Sequence, residues 1–232
     1  MTAPLTVIIP TLNAASQLPA TTNALLCGVT DGLIATLVIS DGGSTDDIAN
    51  VARELGATFI TGPKGRGGQI ARGIAAAKTP WLLILHADTH LSDDWTKPAL
   101  HHITHHRDKA GWFHLRFRAE GFMPKLVAKG ANLRAGLLGL PYGDQGLLIH
   151  RDLLEQLGGY PTLPLMEDVA LAQNLKGKLV PLMADARTSA ARYQKDGWLR
   201  RSCKNLVTLA RYRLGTPPEA LIAAYEGKSP RK

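Results

Sequence analysis

Three strings in this 232-residue chain bring together side chains that could do chemistry. The first is Leu85-His86-Ala87-Asp88-Thr89, where a carboxylate follows the apolar run Trp81 to Leu85. Asp88 in that place suits a divalent cation bridging two phosphates, with water filling the remaining positions. His86 beside it offers an imidazole ligand or a ribose contact, and a helix cap is the alternative role for Asp88. The second string is Glu167-Asp168, which opens an apolar helical stretch after Pro164-Leu165-Met166. Acids in a first turn commonly serve the helix dipole, the plain reading of Glu167; Asp168 is the better candidate for a general base. The third is Pro63-Lys64-Gly65-Arg66-Gly67-Gly68-Gln69, a glycine-rich loop whose Lys64 and Arg66 suit a diphosphate. It is not a P-loop, because Gly68-Gln69 stand where Lys and Ser/Thr are required, and no G-x-G-x-x-G follows the first strand. Asp144-Gln145, in a Gly-flanked loop, is a polar pair suited to hydrogen-bonding hydroxyls. His101, His102, His105 and His106 have the spacing of a helical metal face, but with no third ligand type beside them they read as a solvated surface.

These strings act together only if a sheet gathers them. Thr6 to Ile9, Leu37 to Ile39, Thr58 to Ile60 and Trp81 to Leu85 are short β-branched or apolar runs, predicted as strands and separated by helical stretches such as 13–26. That alternation is the pattern of a mostly parallel sheet flanked by helices. Four polar loops then leave the carboxyl ends of strands: Pro10 to Asn13, Asp41 to Asp47, Gly62 to Gln69, and His86 to Asp88. In an open α/β sheet that edge is where ligands bind. It makes Pro10, Thr11, Asn13, Asp41, Gly43, Lys64, Arg66 and Gln69 one candidate set for a phosphorylated ligand. Beyond residue 90 the spacing predicts helices over 92–106 and 126–138, strands over 112–117 and 146–149, and short helices over 152–157 and 166–175. The stretch Trp198 to Leu214 is a basic amphipathic helix, with Leu199, Cys203, Leu206, Ala210 and Leu214 on one stripe.

A chain of this size with 45% hydrophobic and 20% charged residues can bury a core as one domain without staples. Its two cysteines, Cys27 and Cys203, form no C-x-x-C pair, which excludes a zinc ribbon and a disulfide framework. No apolar run approaches the ~20 residues that span a bilayer, and no basic stretch leads into an apolar core at the N-terminus. The expected address is cytoplasmic, with membrane contact only from the side. The +8 net charge is concentrated: residues 1–120 carry ten Lys+Arg and ten Asp+Glu, whereas residues 121–232 carry 17 and 9. Phosphates are the natural counter-charge, on a nucleotide or a lipid. The helix 198–214 either packs its apolar stripe on the core, the usual arrangement in globular chains, or lies at the inner membrane face.

Over nearly its whole length the chain resembles the inverting GT-A glycosyltransferases of family 2. Val7-Ile8-Ile9-Pro10-Thr11-Leu12-Asn13 is similar to that family's opening strand and loop, and Asp41-Gly42-Gly43-Ser44-Thr45-Asp46 to its nucleotide-binding turn. His86-Ala87-Asp88 sits where the family has D-x-D, and Glu167-Asp168 where it has the pair bearing the catalytic base. The resemblance narrows to a bacterial branch called selenodomain-associated or arsenosugar-biosynthesis, through residues 85–89, 140–146 and 164–168. It implies a GT-A fold over 1–226, with a nucleotide-binding half (1–120), an acceptor half (121–226) and a flexible tail (227–232). It implies that Pro10, Thr11 and Asp41 hold the base, UDP foremost, and that Arg66 holds the donor phosphates or base. Asp88, with His86, would bind Mg²⁺ or Mn²⁺, and Asp144 and Gln145 would bind the acceptor, a small molecule or a lipid-linked one. Asp168, in the pair with Glu167, would take the acceptor proton. Three positions depart from the family pattern: Ala14 where Glu is common, His86 for the first acid of D-x-D, and Ala71 where Asn is common.

Two other classes remain in view. A sugar nucleotidyltransferase shares such a sheet but lacks its usual glycine-rich loop here; it would release pyrophosphate where a glycosyltransferase releases a nucleoside diphosphate. A non-catalytic phosphate or nucleotide binder fits the basic charge. Nucleic acid is excluded as a partner, because aromatics are only 6% of the chain and no stacking platform accompanies the basic patch.

Overall fold

The computed structural model describes residues 3–226. The first half contains β1 (Leu5–Thr11), α1 (Leu18–Asn23), α2 (Leu26–Thr30), β2 (Ile34–Asp41), α3 (Ile48–Glu54), β3 (Thr58–Thr61), α4 (Arg66–Ala76) and β4 (Trp81–Ile84). Then come β5 (His90–Leu91), α5 (Thr96–His105), β6 (Ala110–Phe117), α6 (Phe122–Leu138), β7 (Leu147–His150) and α7 (Arg151–Gln156). The chain continues with α8 (Glu167–Asn174), β8 (Leu179–Thr188), α9 (Ala191–Asp196), α10 (Trp198–Arg213) and α11 (Pro218–Glu226). The strands form one sheet in the order β3-β2-β1-β4-β7-β6-β8-β5. β3, β2, β1 and β4 are parallel, β7 runs against β4 and β6, β8 is parallel to β6, and β5 runs against β8. The expectation of a mostly parallel sheet in a single domain holds.

Both faces of the central strands are covered, which is why they read as unbroken apolar runs. Leu5, Val7 and Ile9 of β1 pack into one layer with Leu18, Ile48 and Trp95, while Ile8 faces the other with Leu82, Leu153 and Leu171. Register sets the functional edge: Thr11 pairs with Asp41, and Asp41 with Thr61, so three strands end in one row. β7 enters from that same edge, Leu147 pairing with Ile84, and its preceding loop lies beside the loops leaving β1, β2 and β4.

Several details depart from the sequence reading. The helix over 13–26 is two short helices, and Asn13 stands before them in the left-handed region at φ 52°. β8 is missing from the sequence reading because Pro181 and alternating exposed residues interrupt its apolar pattern. Pro181 pairs with Trp112 on one side, and β5 reaches only Ala186 and Arg187 on the other, so the proline lies where β8 is an open edge. His102 is not on a solvated surface: it is 1% exposed, edge-on to Trp81, and burial lowers its pKa to about 4. The tail 227–232 lies outside the described residues.

Helix α4 rests directly on β1 through Gly73, where an added Cβ would come within 2.4 Å of Ile8 Cγ2. Gly73→Ala is therefore expected to destabilise the fold by about 1–3 kcal/mol despite the better helix propensity of alanine. A melting curve followed by circular dichroism checks this; an unchanged or higher Tm contradicts the close packing.

Candidate active site

The loops that leave β1 and β2 are built chiefly from hydrogen bonds to one another. Asp41 is 3% exposed at the end of β2. Its carboxylate accepts from Thr11 Oγ1 (3.0 Å) and from the backbone N–H of Gly43 and Ser44 (2.8 Å each). Burial alone would raise its pKa, but the donors at Ser44, Thr11 and Gly43 outweigh it and hold the group below its ordinary value. Asn13 tolerates its left-handed conformation as an Asx residue and clips the first loop to the second, its Oδ1 accepting from Thr45 N at 2.9 Å. Pro10 is half-buried between these loops, and Lys64 is exposed at the tip of the third.

Gln69 is corrected from a donor-binding group to a bracket. It is 4% exposed, and its amide donates to the carbonyls of Thr11 (2.6 Å) and Ser40 (3.0 Å). Its Oε1 accepts from Gly65 N at 3.3 Å, so both ends serve the protein's own backbone. Arg72, one turn later, donates to the carbonyls of Asp41 (3.2 Å) and Pro63 (3.1 Å) and ties β2 to the glycine-rich loop. Nothing in the local sequence marks Arg72, because its partners are backbone atoms 31 and 9 residues away.

The second half brings the acids. Glu167 is 1% exposed, and its carboxylate lies 3.4 Å from the guanidinium of Arg66, which begins α4. Burial and the charge of Asp168 raise the Glu167 pKa, opposed by Arg66. Asp168, the next residue, is half-buried and turned to the loop before β7. Its Oδ2 accepts from Gly143 N at 2.7 Å and its Oδ1 from Val169 N at 2.8 Å. A Cβ at 143 would lie 2.6 Å from His86 Nε2, so glycine there lets the loop approach the imidazole closely. His86, Gly143 and Asp168 thus meet at one point.

Burial, then the charges of Arg66 and Arg192, lower the pKa of His86 well below its ordinary value, so the imidazole is neutral with a lone pair to offer. Asp144 stands within electrostatic reach of both Asp88 and Asp168. Burial raises its pKa to about 6, opposed by Arg134 and reinforced by those two carboxylates. Its Oδ1 is buried without a hydrogen-bond partner. Gln145 is corrected: it is fully buried, bonding Phe113 O (3.3 Å) and Asn132 Oδ1 (3.2 Å), and supports the loop from behind. Arg134 of α6, which the sequence reading missed, stacks over Tyr142 at 3.4 Å from the ring centroid and donates to Leu140 O at 2.9 Å.

A neutral imidazole at His86 and a buried unpartnered oxygen of Asp144, with the Asp88 carboxylate within electrostatic reach of Asp144, are donor types that fit a divalent cation. No group of three or more His, Cys, Asp or Glu side chains among the described residues forms a ready cage. A cation here needs phosphate oxygens and water to complete its shell.

Residues 6–147, more than half of the chain, match the family described as Glycosyl transferase family 2. The chain belongs to glycosyl transferase family 2. The matched span takes in the nucleotide-side loops, His86, Asp88 and Asp144, and ends before Glu167 and Asp168. An uncharacterised glycosyltransferase of Mycobacterium tuberculosis is 38% identical over 84 residues, 36% of either chain. A PGL/p-HBAD biosynthesis glycosyltransferase of the same species is 41% identical over 102 residues, 39% of this chain and 38% of that one. The alignment therefore spans little more than a third of the curated relatives. Among solved structures, glucosyl-3-phosphoglycerate synthase from M. tuberculosis in complex with Mn²⁺ and UDP-glucose superposes with a TM-score of 0.60 at 18% identity, covering 92% of this chain and 79% of that one. Mannosyl-3-phosphoglycerate synthase from Rubrobacter xylanophilus gives 0.60 at 20% identity, covering 91% and 74%. These likenesses establish the GT-A fold for this family 2 chain.

The raised pKa of Asp144 has a consequence for folding. A carboxyl whose folded pKa lies above its ordinary 3.8 contributes stability that is complete below about pH 4 and is lost as pH rises through about 6. Asp144→Asn, which keeps the neutral shape, should exceed the parent by about 2–3 kcal/mol at pH 8 and match it near pH 4. Denaturant titrations in EDTA at the two pH values measure the difference, and a gap that does not grow with pH contradicts the buried carboxyl.

Proposed function

We propose that this chain transfers a sugar from a nucleoside-diphosphate donor, UDP foremost, to an acceptor hydroxyl with inversion at the anomeric carbon. The observation that carries the reading is the meeting of Asp168, His86 and the Asp144 loop at the edge where β1, β2 and β4 end. The likeness to a synthase solved with Mn²⁺ and UDP-glucose supports the donor class.

Pro10, Thr11, Asn13 and the Asp41–Gly43 turn form the wall that receives the base. Lys64 and Arg66 face the diphosphate, and Glu167 holds the Arg66 guanidinium at the start of α4, where the helix dipole adds to its charge. Asp88 and His86 would hold Mg²⁺ or Mn²⁺, with Asp144 within electrostatic reach of Asp88. Such a cation, when bound, offsets charge on the leaving diphosphate. Asp168, fixed by Gly143 N and Val169 N, accepts the acceptor proton as the hydroxyl oxygen attacks the anomeric carbon. The bond from that carbon to the diphosphate oxygen breaks on the opposite face, and its electron pair leaves with the nucleoside diphosphate. A single displacement inverts the centre.

Two measurements test the reading. A panel of UDP, GDP, CDP and dTDP, each with and without Mn²⁺, should raise Tm for one diphosphate by roughly 5–10 °C at a hundredfold excess over Kd. The Mn²⁺-dependent part should vanish in Asp88→Asn, and no shift with any diphosphate defeats the reading. With a turned-over acceptor, Asp168→Asn should lose roughly 10²–10⁴ in kcat while keeping the nucleotide shift. Near-normal turnover removes Asp168 from the base role, and release of pyrophosphate instead of nucleoside diphosphate would identify a nucleotidyltransferase.

A further inference from the structure

The two helices flanking the acceptor side are oriented against the usual rule. A helix at a water-facing surface turns its apolar stripe to the core and its polar face out. α10 does the reverse: it buries Arg201, Thr208 and Leu209, with Asn205 and Tyr212 half-buried, and turns Leu199, Leu206, Val207 and Leu214 outward. Two of its inward polar side chains are bonded inside, Arg201 to Asp196 at 3.2 Å and the Asn205 amide nitrogen to Tyr193 at 3.1 Å, which helps hold the orientation. Of the two arrangements open to the apolar stripe of 198–214, packing on the core is not the one found: Leu199, Leu206 and Leu214 are exposed.

α6 shows the same inversion. A stripe of small residues, Pro124, Ala128, Ala131 and Ala135, is buried, while Phe122, Leu126, Leu133 and Leu137 project from the opposite side. Phe122 and Leu137 are 75% and 74% exposed, and Leu199 and Leu214 are 67% and 86%. Of the fifteen large apolar side chains exposed among the described residues, nine belong to α6, α10 and the cap Leu214. The helices touch, Trp198 sharing an aromatic and alanine cluster with Ala128 and Ala131, so the two apolar stripes belong to one packed pair of helices. Exposed apolar stripes of this size on a packed helix pair mark an interaction site.

Charge selects the partner. Neither helix contains an acidic residue, and exposed Lys125, Lys129, Arg200, Arg211 and Arg213 border the stripes. A second copy of this chain would bring like charge against like charge across a two-fold interface. An anionic bilayer surface offers hydrocarbon for the leucines and phosphate for the basic rim. We infer that the outward faces of α6 and α10 form a docking surface for an anionic lipid membrane. The inner sides of the same helices carry Arg134 beside Asp144 and Tyr212 within electrostatic reach of Asp168. Docking therefore sets the acceptor side of the cleft at the lipid interface, which, on the function proposed above, suits an acceptor carried by a lipid.

Flotation of the full chain with vesicles of phosphatidylglycerol and phosphatidylcholine, against phosphatidylcholine alone, tests the inference. The chain should float with the anionic vesicles and at least ~10-fold less with the neutral ones, and 0.5 M NaCl should weaken the association. Arg200→Glu/Arg211→Glu and, separately, Leu137→Gln/Leu206→Gln should each cut binding about 10-fold or more. Both variants should keep the parent's melting shift with nucleoside diphosphate and Mn²⁺, which reports the fold and the donor site independently of lipid. Absence of flotation by the parent, or unchanged flotation by both variants, overturns the inference while leaving the donor reading intact. A dimer by light scattering that Leu137→Gln/Leu206→Gln dissolves overturns it in favour of a second copy. Flotation with no nucleotide shift supports the membrane surface and counts against the donor reading instead.

Discussion

The antiparallel insertion of β7 between β4 and β6 is the constraint on which the site depends. Parallel strands send all their outgoing loops to one edge, and a sheet made only of such strands would gather groups from its βα connections alone. β7 enters from that edge, so the loop before it, residues 141–146, is brought face to face with the loops that leave β1, β2 and β4. Gly143 then lies against both His86 and Asp168, and its backbone N–H fixes the Asp168 carboxylate. Without that reversal Asp144 would have no reason to lie near Asp88, and the carboxylates would not share a field.

Two different physical regimes meet along this edge. At the ends of β1 and β2 the polar side chains Asp41, Asn13 and Gln69 each have internal partners: Asp41 with Thr11 and the Gly43–Ser44 backbone, Asn13 with Thr45, Gln69 with Thr11, Ser40 and Gly65. Such a wall is rigid, and a ligand meets a shape already formed. Around Asp144 and Glu167 charge is left in tension. Burial and neighbouring carboxylates raise the pKa of Asp144 and Glu167, while Arg66 and Arg134 oppose the shift, and Asp144 keeps a buried oxygen unpartnered. Strained electrostatics of that kind cost stability and concentrate where chemistry is done. Arg66 joins the two regimes, standing at the start of α4 beside the glycine-rich loop and against Glu167 of α8.

How much of this was legible in the chain follows from the reach of each interaction. The four strand-end loops, Asp88 and the Glu167-Asp168 pair were readable because local rules produce them: apolar runs bounded by Gly, Asp and Pro, and acids at a helix start. Gln69 and Gln145 were misread for the same reason. An amide in a polar loop looks like a ligand group in sequence, and only its distant carbonyl partners show it to be a bracket. β8 escaped notice because Pro181 breaks the local pattern, and the open edge that tolerates it is a property of the assembled sheet.

The sequence by itself determined the alternation of strands and helices, the order of the motifs, the concentration of positive charge in the second half, and the amphipathic character of 198–214. Each of these depends on residues a few positions apart. Tertiary structure alone decided which way that helix faces. Periodicity defines a stripe but not its direction, and here bonds from Arg201 and Asn205 to Asp196 and Tyr193 turn the polar side inward. It also decided which acids share a site: Asp88, Asp144 and Asp168 are far apart in the chain, and only the sheet's strand order brings their charges within reach of one another.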